Sequence, residues 1–237
     1  QKTHNSFRNC YLGPSFSSSA IKNTLEKYKL VYQQFTSAMV LEKAAELLAT
    51  GKVVGFFSGK TEFGPRALGN RSIVADPRMP YIKDVLNKKI KYREDFRPFA
   101  PSVLKTAAGN YFNVPNMDFT SPFMLYTIPV KVDYLPAITH QDGTARLQTV
   151  SWQDNPRYFK LINKFAVKTG IKLLVNTSFN VRGEPIVNSP DDAILCFMGT
   201  GIDALIIENY LLLKDQQNDK SFKSYRNYVG ADHDNNV

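Results

Sequence analysis

Cations held on turns are the residues best equipped for chemistry in this sequence. The stretch Glu62-Phe63-Gly64-Pro65-Arg66-Ala67-Leu68-Gly69-Asn70-Arg71-Ser72 follows directly on the apolar residues 53–57. Gly64 and Gly69 allow backbone conformations that other residues resist, and Pro65 fixes one torsion beside Arg66. A stiff turn that holds out arginines suits phosphate, because the planar guanidinium makes paired hydrogen bonds to its oxygens. A second stretch, Lys88-Lys89-Ile90-Lys91-Tyr92-Arg93-Glu94-Asp95-Phe96-Arg97-Pro98-Phe99, adds cations interleaved with aromatic rings. Taken alone, a Gly-Pro-Arg turn is an ordinary surface turn, and a lysine run is an ordinary solvated helix face. No GxxxxGK[ST] loop is present and no GxGxxG follows a strand pattern, so neither common nucleotide fingerprint applies. Together the two stretches describe a pocket for a polyanion that carries a flat ring.

Two further stretches fit that pocket. Residues 145–150 alternate, which puts Arg146 and Gln148 on one side of a strand. An arginine facing inward on a strand is unusual unless it holds an anion. Asn176-Thr177-Ser178-Phe179-Asn180 sits where the apolar strand 171–175 empties, and short amides and hydroxyls there are donors to phosphate or ribose oxygens. Its plainer reading is a turn rich in side-chain-to-backbone bonds. His140 lies in the loop 135–143. Its free pKa is near neutrality, yet a lone loop histidine reads better as a hydrogen-bonding group than as a general base. His4, His140 and His233 are scattered and build no zinc site, so no metal ligand is assigned. Cys10 and Cys196 lack ligand spacing and read as buried reduced thiols rather than an implied disulfide.

Four motifs in order carry a resemblance. They are Phe63-Gly64-Pro65-Arg66-Ala67-Leu68-Gly69-Asn70-Arg71-Ser72, Phe96-Arg97-Pro98-Phe99-Ala100-Pro101, Asp142-Gly143-Thr144-Ala145-Arg146-Leu147-Gln148-Thr149-Val150, and Asn176-Thr177-Ser178-Phe179-Asn180. This set resembles the C-terminal domain of antibiotic- and nodulation-type O-carbamoyltransferases, over roughly residues 11–213. One departure is Lys60-Thr61, where the family more often has Arg-Met. The resemblance implies a mixed α/β domain of the YrdC-like fold, a twisted sheet with flanking helices and a concave basic face. It implies that carbamoyl phosphate and ATP become carbamoyl-adenylate with release of pyrophosphate. A separate, metal-carrying N-terminal domain of the Kae1-like type then passes the carbamoyl group to a small-molecule hydroxyl. On this reading Lys91, Arg97 and Arg146 are the catalytic cations. Arg66, Arg71, Thr144, Asn176, Ser178 and Asn180 bind the nucleotide. Magnesium is expected as the phosphate counter-ion, with no protein ligands assigned. The resemblance also divides the chain into a junction (1–16), a nucleotide-activating domain (17–213) and a polar tail (214–237), as an excised domain or one subunit of a split enzyme. A threonylcarbamoyl-adenylate synthase of related fold fits the motif order less well. A non-catalytic RNA-binding module, with Tyr92, Phe96 and Phe99 stacking on bases, is the reading from a different class.

The elements that must position these groups follow from patterning. Helices are expected over 19–29 and over 37–50 with Ser37 as cap, then a buried strand at 53–57 and a short one at 72–75. A helix over 79–89 leaves Lys91 past its end. Strands follow at 99–104, 123–130 and 145–150. Asn155-Pro156 opens a helix that Gly170 ends, Ser189-Pro190-Asp191-Asp192 opens another, and 204–207 with 210–213 form a hairpin. Alternating strands and helices argue a mixed α/β domain, with 237 residues sufficient for one large core. No run of about 18 apolar residues predicts a membrane span, and residues 1–6 lack an apolar signal core, so a cytoplasmic location is expected. A formal charge of +9 favours an anionic partner, although much of it is scattered lysine that serves solubility. Self-association stays open.

Overall fold

Local chemistry starts each helix. Thr36 and Asn155 cap two helices by accepting from the backbone amides of Met39 and Tyr158, and Ser189 with Asp192 makes a reciprocal capping box. The computed structural model describes residues 9–93 and 98–218. In chain order these form α1 (Ser18–Lys27), β1 (Gln33–Gln34), α2 (Ser37–Ala49), β2 (Val54–Phe57), β3 (Arg71–Ala75) and α3 (Ile82–Leu86). A π-helical turn (Asn87–Lys91) continues α3, followed by β4 (Ala100–Leu104), a 3-10 turn (Lys105–Ala107) and α4 (Ala108–Tyr111). Then come β5 (Thr127–Pro129), β6 (Thr144–Arg146), β7 (Gln148–Val150), α5 (Pro156–Thr169) and β8 (Leu173–Ser178). The chain continues through α6 (Pro190–Gly199), β9 (Ala204–Ile207) and β10 (Tyr210–Leu213).

Eight strands form one sheet in the order β1-β10-β9-β2-β3-β8-β4-β7. Only β2 with β9 and β4 with β7 pair in parallel; the other neighbours are antiparallel. β5 and β6 make a separate two-stranded ribbon. β2 and β9 are buried along their whole length and touch both α2 and α6, so they read as continuous apolar runs rather than alternating ones. α2 and α5 pack on each other through Val40, Leu41, Ala44 and Leu48 facing Tyr158, Leu161, Ile162 and Phe165, all buried. Their rim is tied by Glu42, which accepts from Lys164 at 2.6 Å and lies 2.5 Å from Lys168.

Several expected boundaries move, each for a physical reason. Thr36, not Ser37, caps α2. The helix expected over 79–89 starts at Ile82 and runs on through a π turn to Lys91, so Lys91 stands inside it. The strand expected over 123–130 shrinks to Thr127–Pro129, because Met124 adopts a left-handed φ of 54° that breaks extension. The alternating stretch 145–150 is two strands in two sheets, split at Leu147, whose amide bonds to Tyr126 O at 3.1 Å. Strand β8 extends to Ser178 because β3 and β4 flank it in register, so Asn176 and Ser178 sit within a strand rather than beyond its end. Cys10 and Cys196 are buried and free, as expected. Lys214, at the start of the expected polar tail, donates to the carbonyls of Phe197 and Thr200.

A candidate anion-binding cavity

A cavity of about 320 Å³ opens where the Gly-Pro-Arg turn, the end of β8 and the β5–β6 ribbon meet. Its walls carry Arg66, Arg93, Arg146 and His140, the strand residues Asn176 to Ser178, and the apolar Phe99 and Met124.

The turn is built around a buried acid. Glu62 Oε1 accepts from the amides of Leu68 and Asn70, both at 2.7 Å, and of Arg71 at 3.2 Å. Three convergent N–H groups hold a carboxylate firmly and fix the backbone that follows Arg66. Gly69 is required there: its φ is 108°, and a Cβ would lie 2.2 Å from the Tyr158 ring. Ala67 O and Leu68 O are held from the sheet side by Asn176 Nδ2 at 3.1 Å and Gln148 Nε2 at 2.9 Å. Arg66 itself is exposed. Its guanidinium is drawn below its usual pKa by partial burial first and by the charge of Arg146 second. Among the described residues neither arginine has a salt bridge or a side-chain hydrogen bond, so two like charges share one cavity without a carboxylate between them.

The π turn shapes the opposite wall. Tyr92 takes a left-handed φ of 46° and returns its amide to Asn87 O, five residues back. Arg93 then folds back, donating from Nε to Asn87 Oδ1 at 2.8 Å and lying 4.8 Å from the Phe99 ring centre. The same turn buries Lys91. Its Nζ reaches Ser178 O at 2.5 Å, Asn180 Oδ1 at 2.7 Å, Asn180 O at 2.9 Å and Ser178 Oγ at 3.2 Å. Burial brings the Lys91 ammonium down to about 7, while these oxygens hold its proton. His140 Nδ1 lies 3.3 Å from Thr144 Oγ1, and burial, with help from Arg146, lowers its pKa, so the ring is neutral at pH 7.

The expected residues divide. Arg66, Arg146, Asn176 and Ser178 border the cavity together. Lys91 and Asn180 stand one layer behind, joined to it through Ser178 Oγ, which donates to Asn180 Oδ1 at 2.6 Å. Thr144 does not border the cavity; its hydroxyl donates to Asp142 Oδ1 at 2.7 Å. Arg71 is apart as well. Fully buried, it lies 3.6 Å over the Phe57 ring and donates to the carbonyls of Ser58, Asn70, Gly59 and Pro14. Both its Nη groups bond the fold, while its buried Nε has no hydrogen-bond partner. Arg97, Phe96 and the rest of 94–97 lie outside the described residues. Sequence reasoning missed Glu62, Arg93 and Gln148, although each lies in a quoted motif; a buried acid opening a glycine turn was the available signal. Among the described residues no group of three or more His, Cys, Asp or Glu could hold a metal, and no helix is long and apolar enough to cross a membrane.

The fold is thus a mixed α/β domain with a cavity lined by Arg66, Arg93 and Arg146. Residues 45–214 match the family described as Carbamoyltransferase C-terminus, and the chain belongs to that family. It is 50% identical over 178 residues to nodulation protein NolNO of Sinorhizobium fredii, covering 74% of this chain and 26% of that protein. It is 42% identical over 161 residues to the 3'-hydroxymethylcephem-O-carbamoyltransferase of Amycolatopsis lactamdurans, covering 68% and 30%. The chain spans between 26% and 37% of the length of the curated relatives it first matches. In structure it resembles full-length HypF solved in a phosphate- and nucleotide-bound form, with a TM-score of 0.51, 15% identity, and coverage of 77% of this chain and 22% of that one. The fold class is thus mixed α/β and YrdC-like.

Proposed function

We propose that this domain activates a carbamoyl group on a nucleotide, forming carbamoyl-adenylate from ATP and carbamoyl phosphate for transfer elsewhere to a small-molecule hydroxyl. The observation that carries the reading is the pair of guanidinia, Arg66 and Arg146, bordering one cavity with no salt bridge among the described residues. Family membership supports the same assignment, as does the likeness in fold to HypF, which was solved in a phosphate- and nucleotide-bound form.

The reaction balances in two steps. Water cleaves carbamoyl phosphate to carbamate and phosphate. A carbamate oxygen then attacks the α-phosphorus of ATP, the bond to the bridging oxygen of the β-phosphate breaks, and pyrophosphate leaves. Charge accumulates on phosphoryl oxygens, and fixed cations stabilise it without having to reorient. Arg66 and Arg146 hold the phosphates. Ser178 orients an oxygen, its own position set by Lys91 from behind. Neutral His140 offers one ring nitrogen to the cavity as donor or acceptor. No nucleophile on the protein is required, since carbamate is itself the nucleophile. The described cavity wall contains no carboxylate, so this donor set does not fit a protein-held magnesium; the ion would arrive with the triphosphate.

The test is isotope exchange between pyrophosphate and ATP. Exchange that requires carbamoyl phosphate is expected. Exchange that instead requires threonine and bicarbonate would move the assignment to threonylcarbamoyl-adenylate synthesis. Absence of exchange together with steeply salt-dependent RNA binding would replace it with a nucleic-acid module.

A further inference from the structure

Gln148 sits on β7, two residues after Arg146, and does not border the cavity. It is buried, and both ends of its amide are hydrogen-bonded. Nε2 donates to Leu68 O at 2.9 Å, while Oε1 accepts from Ser102 Oγ at 2.5 Å and from Asn176 Nδ2 at 3.0 Å. Asn176 Nδ2 also reaches Ser102 Oγ at 2.9 Å and Ala67 O at 3.1 Å. One network therefore joins the segment that carries Arg146 to the two residues that follow Arg66.

A buried amide is costly unless bonded, and a methionine would fill the same volume without that demand. What the amide adds is a single defined arrangement, because a bonded polar network excludes near alternatives. The site needs one. Its two guanidinia repel each other, and the outer turn has little to lean on: Phe63 is 77% exposed and Gly64 has open space around it. Leu68 O also accepts from Tyr11 OH at 2.9 Å, and Glu62 holds the turn's amides. Neither of those bonds reaches β7, which begins two residues after Arg146.

We propose that Gln148 is a positioning residue that sets the separation of Arg66 and Arg146 to match adjacent phosphates of a nucleoside triphosphate. This rests on the nucleotide-activating reading. The test is calorimetry on the full chain with two probes, inorganic triphosphate and inorganic phosphate. In Gln148→Met the triphosphate Kd should rise about tenfold, while the phosphate Kd stays within twofold, because spacing matters only to a ligand that spans both cations. Tyr11→Phe, which removes the other bond to Leu68 O, should leave both within twofold. Should Gln148→Met fail to fold, Ser102→Ala carries the test, with about a threefold rise for triphosphate alone. An unchanged triphosphate Kd, or equal losses for both probes or in Tyr11→Phe, overturns the role of Gln148. Wild-type protein that binds no triphosphate overturns the nucleotide reading and this proposal with it.

Discussion

Arg66 and Arg71 show what a motif reveals and what it hides. Both stand in one run of eleven residues, and as sequence both read as phosphate ligands. Yet Arg71 turns both its Nη groups to four carbonyls, while Arg66 reaches a cavity with no acid among the described residues that line it. Residue type was legible; which side of β3 and the turn each guanidinium takes was not, because that depends on Phe57 and Pro14, distant in pattern. Like charges held for a ligand cost the empty protein stability. Arg66→Gln should therefore leave the melting temperature unchanged or raised while ATP affinity falls about 10- to 100-fold; a clear drop in melting temperature would show that Arg66 is structural. Lys91 yields a pH prediction. Its native pKa lies near 7 against an ordinary 10.5, so above pH 7 the unfolded chain binds the extra proton. Stability from this group rises with pH from about 7 toward 10.5 and is constant below 7. Buried Cys10, raised to about 11, and Cys196, raised to about 12, act oppositely once unfolded thiols ionise, so the comparison belongs between pH 7 and 8.5. Over that range urea unfolding of wild type should gain about 1–2 kcal/mol relative to Lys91→Met; parallel profiles would contradict it.

At the scale of elements, capped helices were readable and ribbon strands were not. Asn155-Pro156 and Ser189-Pro190 announce α5 and α6 because capping is local chemistry. The runs 123–130 and 145–150 look like single strands because their kinks come from tertiary pairing, at Met124 and at Leu147. The π turn was equally hidden, since it depends on Lys91 finding oxygens on β8 and beyond. The turn's two glycines separate cleanly by what surrounds them. Gly69→Ala meets the Tyr158 ring at 2.2 Å in a left-handed conformation and should cost more than about 3 kcal/mol. Gly64→Ala, also at positive φ but with no atom within 4 Å, should cost about 1 kcal/mol. Chemical denaturation of both variants decides this; equal losses would mean the turn is held otherwise.

For the whole molecule, the sheet order brings β3, β8 and β4 side by side, and that adjacency lets four segments separated in sequence meet at one opening. The mixed α/β class was legible from the alternation of strand and helix patterns and from motif order. Convergence was not, because it is a property of register: Ala100 opposite Asn176, and Ser178 opposite Ser72. Net charge of +9 contributes a general attraction for anions, and among the described residues Arg66, Arg93 and Arg146 bring three of those cations to one cavity. The most direct measurement is a double-mutant cycle for inorganic triphosphate binding with Arg66→Gln, Arg146→Gln and the pair. Each single change should weaken binding about 10- to 100-fold, and the pair should lose less than the product, with a coupling above about 0.5 kcal/mol because both hold one ligand. Losses that multiply without coupling, or wild-type protein with no triphosphate affinity, would contradict a shared site.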